Sequence, residues 1–201
     1  MVEKSLWTQQ VERNPQHSHW YIERFKAMAN AGHDLHGEAR FVDAMVGRGA
    51  RILDAGCGPG RLGGELVRRG HTVVGVDVDP VLIEEARAVH PGATWLTQDL
   101  AELDLPGAGE GYPFDAIVSA GNVMTFLAPS TRRTVLANLA AVLAPDGRLA
   151  VGFGAGRGYA FEDFFADLLA AGLVIDLTLA TWDLRPWSPD SDFLVTVLRQ
   201  D

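Results

Sequence analysis

The sequence is poor in the features that mark disulfide-bonded, zinc-binding and membrane-spanning proteins. Its single cysteine, Cys57, excludes an internal disulfide and a zinc site built from several thiolates. No apolar run reaches the ~18 residues of a transmembrane helix. The opening residues, MVEKSLWTQQ, lack the apolar core of a signal peptide. We therefore expect no metal centre, no membrane contact and a cytoplasmic location.

Positive charge is also scarce. The chain has 17 Lys and Arg residues against 26 Asp and Glu residues, which gives a formal net charge of −9. Because affinity for a phosphate backbone rests largely on Lys and Arg, this balance argues against a nucleic-acid partner. The basic pairs Arg68–Arg69 and Arg132–Arg133 are explained by solvated helix faces, and we expect a small-molecule partner instead.

Glycine is abundant at one place, the stretch LDAGCGPGRLGGEL that spans Leu53–Leu66. A buried-strand pattern ends there in Asp54, three glycines follow at alternate positions, and a helical pattern begins near Arg61. Glycines at such a corner permit a tight turn and let a ligand approach the main chain closely. The stretch therefore predicts a nucleotide-cofactor site.

The spacing of this stretch is compatible with two kinds of nucleotide. Gly58, Gly60 and Gly63 match the dinucleotide pattern G-x-G-x-x-G, and Asp77 follows at about the 20 residues expected of a ribose-binding acid. Asp54 argues against a dinucleotide, because its carboxylate would repel a pyrophosphate and attract an amino group. The ligand implied is a nucleoside with a sugar diol and a positively charged, zwitterionic tail. S-adenosylmethionine has that shape.

The sequence resembles the class I S-adenosylmethionine-dependent methyltransferases. Their first motif, acid-x-Gly-x-Gly-x-Gly, is present without a departure at Asp54–Gly60. Later landmarks of the family follow in order: Asp77 at the end of VVGVDVD, the pair Gln98-Asp99, the strand and loop FDAIVSAGNVMTFL, and the helix, turn and strand VLAPDGRLAVGF. Together the landmarks cover about half of the chain, from Leu53 to Phe153.

The resemblance implies S-adenosylmethionine as the cofactor and S-adenosylhomocysteine as its product. It implies that Asp54 orients the amino group of the methionine moiety, Asp77 accepts from both ribose hydroxyls, and Asp99 accepts from the adenine amino group. Val78 is an apolar contact to the adenine ring. The other residues that it places at the cofactor are Gly56, Cys57, Gly58, Gly60, Gln98, Leu100 and Asn122.

The loop at Asn122 lies where this family has residues near the transferable methyl group. It departs from Asn-Pro-Pro-Tyr, the signature of enzymes that methylate amino groups of DNA bases or glutamine, which agrees with a small-molecule acceptor. No catalytic residue is assigned. A general base is needed only if the acceptor must lose a proton, and the candidates for it are the N-terminal histidines His17, His19, His33 and His36.

The N-terminal segment is expected to form a helical cap over residues 1–48, and residues 49–201 a cofactor-binding core, within one domain. Residues 1–16 look irregular, whereas His19–Asn30 and Glu38–Val46 have helical periodicity. Such N-terminal helices often cover the cofactor in the family. The candidates for lid or substrate contacts are Trp20, Tyr21, Arg24, Glu38 and Arg40, with Val123 on the sheet side. Docking of apolar cap residues on the sheet is the simpler alternative.

Alternating strands and helices after Arg51 predict an α/β fold with a mostly parallel sheet covered on both faces. Asp79-Pro80 predicts a helix start, and Pro145-Asp146-Gly147 predicts a turn into a strand over Arg148–Phe153. The strands Leu173–Thr181 and Phe193–Arg199 are too close for a parallel crossover and predict an antiparallel hairpin. The expected fold is a Rossmann-like, doubly wound, seven-stranded sheet with an antiparallel C-terminal hairpin strand.

Two other functions stay open at this point. An NAD(P)-dependent oxidoreductase matches the glycine spacing, but Asp54, the terminal hairpin and the lack of a Tyr-x-x-x-Lys pair argue against it. A protein that binds S-adenosylmethionine without catalysis shares every cofactor landmark, and only turnover distinguishes it from an enzyme.

Overall fold

A computed structural model describes residues 2–105 and 113–201. Their strands form one seven-stranded sheet in the order β3-β2-β1-β4-β5-β7-β6. The strands are β1 Arg51–Ala55, β2 Thr72–Asp77, β3 Thr94–Thr97, β4 Phe114–Ser119, β5 Leu143–Gly154, β6 Leu173–Leu179 and β7 Phe193–Gln200. All pairs are parallel except β7, which runs antiparallel to both β5 and β6. The predicted fold class is confirmed.

Helices cover both faces of this sheet. They are α1 Leu6–Arg13, α2 His17–Asn30, α3 Gly37–Met45, α4 Arg61–Arg68, α5 Pro80–Val89, α6 Val123–Phe126, α7 Arg132–Val142 and α8 Phe161–Ala170. Alternate residues of β1 show how the two cores are divided: Leu53 packs with the cluster that includes Leu136 and Phe164, whereas Ile52 packs with Val42 and Leu66 on the opposite face. No helix of the described residues is both long and apolar enough to cross a bilayer.

The predicted irregular segment over residues 1–16 is wrong, because α1 forms there and packs into the molecule. Ser5 caps the helix, since its Oγ accepts a hydrogen bond of 3.1 Å from the Thr8 N–H. Trp7, only 9% exposed, packs with Ile22 of α2 and Leu82 of α5. Because the segment is mostly polar, its composition did not indicate that Trp7 would be buried. The division of the chain into a cap and a core at residue 48 stays a prediction.

The turn predicted at Pro145-Asp146-Gly147 is accommodated inside β5, which begins at Leu143 rather than at Arg148. Leu143 pairs with Phe114 and Arg148 pairs with Ala116, so the register between β4 and β5 shifts across this segment. The extra residues bulge out of the ladder, which is how a strand absorbs turn-forming residues without ending. The helix start at Asp79-Pro80 is confirmed, because Asp79 caps α5.

Gly75→Ala is expected to lower the free energy of unfolding by about 1–3 kcal/mol. A methyl group at this position of β2 would lie 2.2 Å from the ring of Trp95, a core side chain on β3. Urea unfolding measures the change. Gly47→Ala is the matched control, since a methyl group there meets no atom within 4 Å. Equal stability of the two variants would contradict the packing of Trp95 on Gly75.

Candidate functional site

The glycine corner between β1 and α4 is a tight loop held against the neighbouring strand. Gly56 and Cys57 both donate backbone hydrogen bonds to the Val76 carbonyl, at 2.8 and 3.0 Å. Gly56 has a φ of 82°, in the left-handed region, and a Cβ there would lie 2.3 Å from the side chain of Val123. Only glycine fits this position, so the sequence pattern reflects both the turn and the close approach of α6.

Asp54 lies under this corner at the end of β1, where it is 2% exposed. Its Oδ2 accepts a hydrogen bond of 2.9 Å from the Gly63 N–H in the first turns of α4. Burial raises the pKa of Asp54 to about 7, although the Gly63 N–H and the nearby Arg61 guanidinium act in the opposite direction. The carboxyl group of Asp54 therefore titrates near neutral pH, and a cation placed beside it would lower its pKa.

Asp77 ends β2 and joins two loops at the same edge of the sheet. Its Oδ2 accepts from the Gly58 N–H at 2.8 Å, and its Oδ1 accepts from the Asp79 N–H at 2.9 Å. Burial raises the pKa of Asp77 to about 6, against the effect of these two donors. Each carboxylate oxygen has a second lone pair, so Asp77 can still accept from a ligand.

Two cavities meet at the glycine corner, and both are lined by Tyr21, Gly56, Gly58, Ala120 and Gly121. The first cavity has an empty volume of about 620 Å³. Its other lining residues are Ser5, Trp7, Asp77, Val78, Leu82, Gln98, Asp99, Leu100, Val123, Phe126 and Leu127. The second cavity has an empty volume of about 770 Å³. Its other lining residues are Phe25, Met28, Asp34, Leu35, Glu38, Asp54, Cys57, Pro59, Arg61 and Leu62.

The residues predicted after β3 lie together in the first cavity. Asp99 caps a one-turn 3-10 helix, Leu100–Glu102, because its Oδ1 accepts from the Ala101 N–H at 2.9 Å. The Gln98 side chain bonds both backbone groups of Asp104, with the Asp104 N–H donating at 3.0 Å and its carbonyl accepting at 2.7 Å. These hydrogen bonds hold the loop in place, and Asp99 and Leu100 line the first cavity from it.

Tyr21 of α2 covers the border between the two cavities. A methyl group added at Gly58 would lie 3.7 Å from Tyr21 Cε1, and one added at Gly121 would lie 3.8 Å from its hydroxyl. Its ring contacts Trp7 and Phe25 edge-on, with centroid distances of 5.2 and 5.0 Å. Burial raises the pKa of the Tyr21 phenol, so it stays protonated at neutral pH. Tyr21 lines both cavities, and its role as a lid stays a prediction.

Arg61 and Trp7 line the cavities but were not among the predicted site residues. Arg61, the first residue of α4, donates to both carboxylate oxygens of Glu38 at 2.8 and 3.1 Å and thereby ties α3 to the glycine corner. Its guanidinium also donates to the Leu35 carbonyl and lies 5.3 Å from the ring centre of Phe25. In the sequence, only the opposite charges of Arg61 and Glu38 hint at this pair, because the two residues lie 23 positions apart.

Of the predicted residues, Arg40 and Asn122 line neither cavity, whereas Cys57 lines the second cavity from a buried position. Arg40 lies outside both cavities and is exposed, with its guanidinium bonded to Asp34 at 3.0 Å. Asn122 has a left-handed φ of 67°, and its Oδ1 accepts from the Gly154 N–H at 2.8 Å, which links the ends of β4 and β5. Cys57 is buried beside Trp95, and burial raises the pKa of its thiol well above the usual value.

The histidines do not converge on the site. All six lie within the described part of the chain, and none lines either cavity. His17 stacks on the exposed Trp20, with ring centres 5.3 Å apart, and His36 lies 3.8 Å from Glu65 at the surface. The geometry thus gives no support to a histidine base at the glycine corner.

Comparison with known proteins points to one family. A family model for a methyltransferase domain matches residues 52–147. The crystal structure of a TehB-like S-adenosylmethionine-dependent methyltransferase from Corynebacterium glutamicum superposes with a TM-score of 0.88 at 47% sequence identity. That alignment covers 94% of this chain and 100% of the Corynebacterium chain. The likeness favours a methyltransferase over an NAD(P)-dependent oxidoreductase.

Sequence relatives point the same way over shorter segments. An uncharacterized methyltransferase of Mycobacterium tuberculosis is 38% identical over 121 residues, which is 59% of this chain and 57% of the relative. The magnesium-protoporphyrin O-methyltransferase of Rhodobacter capsulatus is 35% identical over 92 residues, 43% of this chain and 38% of that protein. The chain spans little more than half the length of the mycobacterial relative. With the Corynebacterium structure matched along its whole length, the chain belongs to the class I S-adenosylmethionine-dependent methyltransferases, whose cofactor is S-adenosylmethionine.

Proposed function

We propose that this chain catalyses the transfer of a methyl group from S-adenosylmethionine to a small-molecule acceptor. The observation that carries the proposal is the pair of cavities that meet at the glycine corner, with Asp77 in the first and Asp54 in the second. The cofactor has a neutral nucleoside half and a zwitterionic amino-acid half. Two adjoining cavities with different chemistry suit a ligand of that kind.

The first cavity fits the adenosine half. Asp77 keeps lone pairs free for two sugar hydroxyls, and the apolar side chains of Val78 and Leu100 suit the faces of a purine ring. Asp99 lines the same wall and can accept from an exocyclic amino group. A methyl group at Gly58 would already contact Tyr21 Cε1 at 3.7 Å, so glycine at this position keeps the backbone of the corner uncovered.

The second cavity fits the methionine half. Asp54 and Glu38 supply carboxylates that attract an ammonium group, and Arg61 supplies a cation for a carboxylate. Because Asp54 is buried, its interaction with an ammonium group is screened less by water than a surface pair would be. Asn122 holds the β4–α6 loop, whose Gly121 lies at the border of the cavities, and we assign it a supporting role.

When bound, the cofactor supplies a methyl group on a positively charged sulfur, which leaves as a neutral thioether. The chain's own contribution is then to align the reactants and to exclude water. Tyr21 covers the meeting point of the two cavities, and its phenol stays protonated, so it serves as a hydrogen-bond donor rather than as a base. This arrangement favours an acceptor that attacks with an available lone pair.

A small acceptor is favoured by charge and by enclosure. The net charge of −9 opposes binding of a phosphate backbone. The N-terminal residues Ser5, Trp7 and Tyr21 line part of the first cavity, which narrows the space left for an acceptor. Neither feature distinguishes oxygen, nitrogen, carbon or sulfur acceptors.

Ligand-dependent thermal unfolding tests the cofactor, and transfer of a labelled methyl group tests the reaction. At a hundredfold excess over the dissociation constant, S-adenosylhomocysteine should add ~2.7 kcal/mol, or about 5–10 °C in Tm. NAD and NADP should give no shift. A shift with the dinucleotides alone would overturn the proposal. Binding of S-adenosylmethionine without transfer to any acceptor in a broad small-molecule panel would favour a non-catalytic binding protein.

Asp77→Asn is expected to weaken S-adenosylhomocysteine binding about tenfold or more, because a hydrogen bond to a charged group contributes about 1.5–3 kcal/mol. The asparagine keeps an acceptor for one of the two loop N–H groups and turns its amide toward the other, so circular dichroism checks that the fold persists. Isothermal titration calorimetry measures the affinity. Asp190→Asn is the charge-matched control, since Asp190 is exposed and lines neither cavity. Wild-type affinity in Asp77→Asn would remove this residue from the site.

Affinity for S-adenosylhomocysteine is expected to rise with pH between about 6 and 7.5. Burial raises the pKa of Asp54 to about 7, so its carboxyl group must lose a proton before it can pair with the ligand's ammonium group. Linkage of one proton gives at most about tenfold per pH unit. Asp54→Asn should bind more weakly and show a flatter pH profile. Calorimetry at several pH values measures both, and an unchanged slope in Asp54→Asn would contradict this role.

A further inference from the structure

Asp79 makes more contacts than the capping of a helix needs. Its carboxylate is 3% exposed and lies between the N-terminal helices and the first turn of α5. Oδ1 accepts from the Val81 N–H at 2.9 Å, which is the capping bond. Oδ2 accepts from Trp7 Nε1 of α1 at 2.8 Å and from Ser18 Oγ of α2 at 2.5 Å. One side chain therefore joins α1, α2 and α5.

The second pair of bonds requires a carboxylate. Asparagine, serine and threonine cap helices about as well as aspartate, so capping alone does not select an acid here. Trp7 Nε1 can only donate, and Ser18 Oγ donates to the same oxygen. An amide nitrogen in the place of Oδ2 would face a donor that cannot accept. Trp7 and Ser18 are both buried, so an unmet donor there is costly.

The same residue is bonded directly to the cofactor site. The Asp79 N–H donates to Asp77 Oδ1 at 2.9 Å, and Asp77 in turn accepts from the Gly58 N–H. On the cap side, Trp7 lines the first cavity, and Tyr21 lies one helical turn after Ser18 over the glycine corner. The bond to Asp77 comes from the Asp79 backbone, whereas the Asp79 carboxylate holds the N-terminal helices that line the cavity beside Asp77.

We propose that Asp79 is a positioning residue whose carboxylate holds α1 and α2 closed over the first cavity. This inference rests on the proposed function. With the cap bonded to Asp79, the cavity is preformed and the ligand does not have to order α1 and α2. If the closed cap becomes a minor population, the apparent association constant equals the intrinsic one multiplied by the fraction of molecules that stays closed.

Asp79→Asn is the decisive variant, because asparagine preserves the α5 cap while it removes the acceptor for Trp7 and Ser18. The expected result is a loss of S-adenosylhomocysteine affinity of about tenfold. Faster hydrogen exchange is expected in α1 and α2 of the ligand-free protein, but not in the sheet. In a nitrogen–proton correlation spectrum, the Trp7 indole signal, assigned with Trp7→Phe, should move upfield. Calorimetry gives the affinity, and circular dichroism checks the fold.

Ser18→Ala and Lys26→Gln make the test specific. Ser18 lines neither cavity, so a weaker ligand affinity in Ser18→Ala has to act through the cap. Lys26 forms an ion pair of 3.0 Å with Glu85 that also joins α2 to α5, but it lies at the surface, and its removal should change affinity less than twofold. Asp79→Asn and Ser18→Ala should combine non-additively, since they remove the same bond.

The outcomes separate this inference from the proposed function. If the wild-type protein binds neither S-adenosylmethionine nor S-adenosylhomocysteine, the proposed function fails and the positioning role fails with it. If the wild type binds and Asp79→Asn binds equally well, the positioning role is overturned while the proposed function stands. Lower stability of Asp79→Asn with unchanged affinity likewise overturns the positioning role, because a purely structural acid predicts that pattern.

Discussion

The packing of the Trp95 indole determines how closely α4 approaches the sheet. The ring lies on Gly75 of β2, and a methyl group on Gly60 or Gly63 would come within 2.9 Å of it. Because these positions are glycine, α4 lies close enough for the Gly63 N–H to reach Asp54. Two glycines of the dinucleotide-like spacing, Gly60 and Gly63, are therefore explained by their packing on Trp95. The position of Asp54, and with it the character of the second cavity, depends on that close contact.

Within residues 2–105 and 113–201, neither Asp54 nor Asp77 forms an ion pair. Asp54 and Asp77 are held by backbone N–H groups, and burial shifts the pKa of each upward. Arg61, the nearest cation, is already paired with Glu38. Buried acids with raised pKa values in a cleft are common at functional sites.

The strand-end acids could be predicted because the carboxyl ends of parallel strands meet at one edge, so that chain order alone brings them together. Contacts between cap and core could not be predicted in this way. The Trp7 anchor lies in a short, mostly polar segment, and the Arg61–Glu38 pair joins residues 23 positions apart in the chain. Sequence position alone does not show that Arg40 pairs with Asp34 at the surface.

The position of β7 within the sheet has a consequence for how the chain folds. β7 lies between β5 and β6, and within the described residues β6 pairs with β7 alone. During synthesis, β6 is therefore made before its partner exists, and β5 keeps an open edge until Phe193–Gln200 has emerged. Open strand edges are sites of intermolecular pairing. In the interval between completion of β6 and arrival of β7, the nascent chain therefore carries strand edges that can pair with other chains.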